Sequence, residues 1–175
     1  MKNFSMKFLR VLQFLWVLPI FLLVGLVYIL PMWIIFRDLV FKGCPEFLVF
    51  EFGLANKNVE SWHVKLWEKW GGWASAPFVI FNIDYDLAKI NLAYADDCDK
   101  LRIHELKHIE QQFWLGICYH PAYFLMLIWI YFFKKEKHPY YDCPFERDAR
   151  AAAGQVVDVP RDQWAWGPDD RWPWW

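Results

Sequence analysis

Residues His104-Glu105-Leu106-Lys107-His108 constrain this chain more than any other stretch. On a helix, side chains four apart lie one above the other on the same face, so both imidazoles can reach one ion. Neutral histidine nitrogens are ordinary zinc ligands. Glu105 follows the first of them directly and can stand beside the metal without binding it, where it can take a proton from a metal-bound water. The pattern therefore implies Zn2+ and metal-assisted hydrolysis, provided a third ligand exists.

Two continuations supply such a ligand. The metzincin pattern asks for Gly three residues after the second His and another His three beyond that. Gln111 and Trp114 occupy those positions and close that route. The gluzincin pattern needs a Glu on a second helix, followed three residues later by a small side chain where the helices touch. Glu146 and Ala149 in the run CPFERDARAAAG fit it.

With these residues in view, the chain resembles small, largely uncharacterised bacterial and phage-type proteins with a gluzincin-like metallopeptidase signature. In them HExxHxxQ is followed by an apolar segment, then by a Tyr-containing turn leading into a PFExEA-like helix. The matching residues are His104, Glu105, His108 and Gln111, then Tyr140 through Glu146, and Ala149. The likeness covers about Gly71 to Ala153; Cys143 stands where a polar residue is expected and Asp148 where Glu is expected. The resemblance implies zinc and a peptidase-like α+β fold, a small sheet packed on the motif helix and a second helix bearing Glu146. It implies no particular substrate.

The composition points to lipid as a further partner. Hydrophobic residues make up 57% and aromatic residues 21% of the 175, well above the average for soluble domains. A net charge of −1 argues against nucleic acid, whose phosphates require a basic patch. From Phe8 to Phe36 the chain is almost wholly apolar, with Gln13 the one strongly polar side chain after Val11. About 20 apolar residues cross a bilayer, and no small-x-small cleavage site follows. This predicts an uncleaved transmembrane helix within an N-terminal anchor, residues 1–37. Pro19 and Pro31 could instead bend the run into a hairpin. The basic residues Lys2, Lys7 and Arg10, against Arg37 and Lys42, leave the side of the membrane open.

A metallopeptidase-like domain is expected over residues 38–156. Aromatic and β-branched runs predict strands at Glu46–Phe52 and Phe78–Ile83, the second of which either pairs with an extended peptide along its edge or lies inside the sheet. Helical spacing covers Asn58–Trp70, where His63 is read as a packed or surface imidazole. Asp96, Asp97 and Asp99 are expected to cap the N-terminus of the motif helix.

Phe113–Phe133 is a second apolar stretch. Its two ends cannot lie on opposite sides of a bilayer, because His108 and Glu146 must meet at one ion. A break at Gly116 or His120 is therefore expected, followed by a membrane-proximal helix from about Pro121 to Lys135.

Tyr140, Tyr141 and His138 precede the third ligand and are candidate donors to an oxyanion. Asp148 could orient a ligating His, or pair with Arg147 or Arg150. Cys44, Cys98, Cys118 and Cys143 contain no C-x-x-C pair and are compatible with disulfides or with reduced thiols. Residues 157–175 form a Trp-rich irregular tail. The sequence thus predicts a membrane-associated zinc metallopeptidase acting on peptide or protein. Its alternative is a noncatalytic membrane protein that keeps a structural metal site as a binding or accessory factor.

Overall fold

The computed structural model describes residues 2–54 and 71–163. The expected helix at 58–70, His63 within it, and most of the Trp-rich tail lie outside the described residues. The architecture is mixed α+β, with one four-stranded sheet covered by helices on both faces.

The first helix, α1, spans Lys2–Ile20 and winds on in wider turns through Phe21–Ile29 and Pro31–Ile35. Neither Pro19 nor Pro31 reverses it, so the run is a single helix and no hairpin. Strands β1 (Leu39–Gly43), β2 (Phe50–Leu54), β3 (Gly72–Ser75) and β4 (Phe78–Phe81) follow in the order β1-β2-β4-β3. β2 and β4 run parallel, Phe50 opposite Phe78, and the outer pairs are antiparallel. A short helix α2 (Tyr85–Ile90) leads into the long motif helix α3 (Leu92–Leu115). One 3-10 turn at Gly116–Cys118 separates α3 from α4 (Tyr119–Phe133), and α5 (Pro144–Ala152) carries Glu146.

Side chains alternate across a strand, and β4 uses both faces. Phe78 and Ile80 meet Ile29, Phe21, Val24 and Tyr28 of α1. Val79 and Phe81 meet Ile109 and Phe113 of α3. This explains why β4 reads as an unbroken apolar run: a strand buried on both sides has no polar face to show. Burying each large side chain of this kind contributes roughly 1.5–3 kcal/mol. Gln112 then fixes the motif helix against the sheet. It is fully buried, accepts from the Ala76 N–H at 2.7 Å, and donates to the Ala74 carbonyl at 3.1 Å.

Several expectations are corrected. The strand expected at Glu46–Phe52 lies at Phe50–Leu54, while β1 and β3, five and four residues long, were not expected from the sequence. Of the two readings left open for the second strand, the internal one holds for Phe78–Phe81; among the described residues the outer strand beside α3 is Gly72–Ser75. Asp96, Asp97 and Asp99 do not cap α3, because the helix begins four residues before the first of them. Asn91 is the cap, its side chain accepting from the Tyr94 N–H at 3.1 Å. Asp96 pairs instead with Lys100, and Asp99 with Arg102. All four cysteines are free thiols.

The break after the motif helix falls where expected. Gly116 has φ +57°, and a Cβ there would run into the Trp16 indole nitrogen of α1. Only glycine fits, on conformation and on space. Pro121 sits in the first turn of α4 and Pro144 opens α5, positions where a missing N–H costs no helical bond. Two stretches, Lys7–Ile34 (28 residues) and Leu92–Phe133 (42 residues), are long and apolar enough to cross a membrane.

Candidate metal centre

α3 stacks His104 and His108 one turn apart, and α5 packs across it so that Glu146, in its first turn, reaches both. The two Nε2 atoms are 3.2 Å apart. Glu146 Oε2 lies 3.3 Å from His104 Nε2, and Oε1 lies 3.2 Å from His108 Nε2. One ligand atom from each residue falls within 4.8 Å of the others, and all three side chains are buried.

The imidazoles are oriented from behind. His104 Nδ1 is 3.0 Å from Gln155 Oε1, and His108 Nδ1 is 2.9 Å from Gln111 Oε1. An amide oxygen only accepts, so in the neutral rings these contacts place the hydrogen on Nδ1 and leave the lone pair on Nε2. For Gln111 the orientation is fixed by its other end: Nε2 donates to the Phe145 carbonyl at 3.0 Å and to Asp148 Oδ2 at 2.9 Å. The Tyr119 hydroxyl also lies 3.1 Å from His108 Nδ1. Tyr123 donates to Glu146 Oε1 at 2.8 Å. Among the described residues Glu146 Oε2 accepts no hydrogen bond, and it faces His104 Nε2.

Two lone pairs and a carboxylate converging in a buried space repel one another unless something positive lies between them. Protons can serve. Burial depresses the basicity of His108, but the Glu146 carboxylate outweighs it and lifts the pKa to about 9. Burial also opposes ionisation of Glu146, yet the two histidines hold its carboxyl far below the usual range. A divalent ion serves better, since it replaces these protons with one charge that all three atoms can ligate. The donor set, two imidazoles and one carboxylate, fits a metal ion.

Loading must displace the His108 proton, which is bound below a pH of about 9. Apparent zinc affinity is therefore expected to tighten by roughly tenfold per pH unit from neutrality up to about pH 9 and then level off. Competition titrations against a chromophoric chelator read this slope; an affinity flat over that interval would contradict it.

Glu105 stands next to the triad. It is buried, and this desolvation raises its pKa, with the two histidines pulling the other way. Gly72 of β3 makes room for it: a Cβ at that position would lie 2.8 Å from Glu105 Cγ and 2.9 Å from Oε1.

The remaining candidates separate clearly. The Tyr140 phenol is held protonated, first by burial and then by the adjacent carboxylates of Glu146 and Glu105. His138 is fully buried but turned to its own loop, where Nδ1 accepts from the N–H groups of Tyr140 and Tyr141 at 3.1 and 3.3 Å. Tyr141 packs on His138 and under Arg150. Asp148 acts on His108 through Gln111 and lies 3.6 Å from Lys107, while Arg147 pairs with Asp158 and Arg150 binds the carbonyls of Tyr140 and Tyr141.

Sequence reasoning missed Gln155, Tyr119 and Tyr123. Replacing Gln155 with Leu should leave the fold intact and weaken zinc binding by about 10–100-fold, the usual effect of losing a partner behind a ligating imidazole. Isothermal titration of zinc into the metal-free variant measures it; an unchanged affinity would mean the Gln155 contact is incidental.

No family model matches the chain, and neither a curated protein nor a solved structure does.

Proposed function

We propose that this chain is a membrane-associated zinc metallopeptidase of the gluzincin type, with His104, His108 and Glu146 as ligands and Glu105 as general base. One observation carries the reading. Three buried basic atoms from two helices converge on one point, and a second buried carboxylate, Glu105, stands beside them outside the ligand set. When bound, the metal supplies Lewis acidity for a carbonyl and lowers the pKa of water.

The other tasks fall to the chain's own side chains. Glu105, a carboxylate made more basic by burial, accepts a proton from the attacking water and returns it to the departing amine. The Tyr140 phenol keeps its proton and donates a hydrogen bond to the oxygen on which negative charge grows. Gln111 and Gln155 hold both Nε2 lone pairs toward the ligand point. The outer strand Gly72–Ser75 offers main-chain pairing to an extended peptide beside Glu105. A structural clamp would need the three ligands but gives a buried Glu105 nothing to do.

The test uses detergent-solubilised full-length protein and a pooled set of fluorogenic peptides. Cleavage should be abolished by 1,10-phenanthroline and restored by zinc. Protein that carries about one zinc per chain yet cleaves nothing in the pool would replace the peptidase with a noncatalytic metal site.

A further inference from the structure

We infer that α1 does not cross the bilayer but lies along its surface, and that α1 and α4 together form one docking face for an anionic lipid membrane. The argument starts from what α1 touches. A narrow stripe, Phe14, Val17, Phe21, Val24, Gly25, Tyr28 and Ile29, faces the domain. Phe21 stacks on Phe78 at 5.5 Å, and a Cβ on Gly25 would lie 2.9 Å from the Phe78 ring. Contact runs almost the whole length of the helix: Arg10 bonds Glu46 at 2.8 Å near one end, and Trp33 packs on Phe52 at 5.7 Å near the other.

A transverse α1 would therefore carry the sheet into the hydrocarbon. Open sheet edges and ion pairs do not stay there, because no water satisfies their polar groups. With α1 in the plane, the same contacts are satisfied on the aqueous side.

The rest of α1 is exposed and apolar: Leu12, Leu15, Leu23, Leu26, Val27 and Ile34 are among the side chains at least two-fifths exposed. On α4 the residues split by face. Tyr119, Tyr123, Leu127 and Ile130 turn inward, while Phe124, Leu125, Ile128, Trp129, Phe132 and Phe133 are exposed. The two apolar surfaces join at Gly116, where Trp16 of α1 lies against the turn that starts α4. Monomeric soluble domains rarely leave so long a contiguous apolar surface in water. Its ends carry more basic than acidic residues, with Lys7 near the start of α1, Arg37 and Lys42 against Asp38 after it, and Lys134, Lys135 and Lys137 against Glu136 after α4. That charge suits anionic headgroups.

The inward face of α4 touches His108 and Glu146, so the metal centre lies about one helix diameter, roughly 10 Å, from the lipid. Resting on the peptidase reading above, this makes the substrate a peptide segment held against the membrane surface.

Impermeant maleimide labelling of sealed, uniformly oriented membrane vesicles tests the arrangement without requiring catalysis, so either idea can fail alone. One variant carries Lys7→Cys with Cys44→Ser and Cys118→Ser; the other carries Cys118→Ser and retains the exposed native Cys44. The buried Cys98 and Cys143 serve as silent background. Both reporters should label from the same side of the membrane. Labelling from opposite sides would establish a transverse helix and overturn the inference. Spin labels at Leu26→Cys and Leu125→Cys should relax more with oxygen than with an aqueous nickel chelate. The reverse order at Leu125→Cys would remove α4 from the docking face.

Discussion

Glu105→Gln should leave zinc content at about one per chain and lower the turnover number by about 10²–10⁴-fold, the range a positioned general base contributes. Glutamine keeps the volume and one acceptor oxygen, so the close approach to Gly72 is preserved, but it cannot take a proton. Stability should move the opposite way. Burial raises the Glu105 pKa above its usual value of 4.5, so in metal-free protein the acid form is favoured in the fold. The folded state then binds the proton more tightly than the unfolded chain, and the stability this confers is lost as pH rises through the raised pKa. Above that interval the glutamine variant, with no charge to desolvate, should be the more stable one. Metal analysis, peptide kinetics and thermal melts at two pH values check all three statements. Zinc loss in this variant would make Glu105 a ligand and refute the assignment.

Glu146→Gln should reduce zinc affinity by about 10²–10³-fold. Structural zinc in small peptides binds with about 10–16 kcal/mol, and one position of four carries roughly a quarter of it. Glutamine is chosen because its oxygen can still accept from Tyr123 and because α5 packs through Ala149, which is fully buried. Folding and ligation are thereby separated. The metal-free variant should melt cooperatively with its secondary structure intact, and His108, freed of the carboxylate that holds its proton, should titrate well below 9. Zinc bound as tightly as in the wild type would exclude Glu146 from the site. A variant with no cooperative melt would have lost the fold, and Glu146→Asp would then carry the comparison.

The triad was legible because its information is local. Two histidines four apart and a Glu three before an Ala fix faces of helices, and the returning chain at Gly116 follows from requiring both at one ion. The groups behind the triad were not legible. Gln155 is 51 residues from His104 and lies beyond the end of α5, in a stretch with no periodicity. Tyr119 and Tyr123 looked like two more aromatic residues in an apolar segment, since only packing tells the side of α4 that faces the histidines from the side that faces away. The same limit applies to α1. Where nearly every position is apolar, the pattern cannot distinguish a helix surrounded by lipid from one with a single stripe laid on a sheet. The sheet was read in part: β4 is short and apolar throughout, but β1 and β3 take their identity from neighbours.

The bond set of Gln111 carries one last consequence. Its amide hydrogens are engaged only while α5 is seated, since Phe145 and Asp148 are both on that helix. Were α5 to swing away, the amide could rotate by half a turn and offer its NH2 group to His108 Nδ1. That nitrogen would then accept, and the ring hydrogen would move to Nε2, pointing into the place a cation should occupy. The tautomer of the neutral His108 ring is thus tied to the seating of α5 through Gln111, with the Tyr119 hydroxyl as the second group on the same nitrogen. One amide in this way makes the second imidazole of the H-E-x-x-H pair answer to a helix whose Phe145 lies 34 residues beyond Gln111.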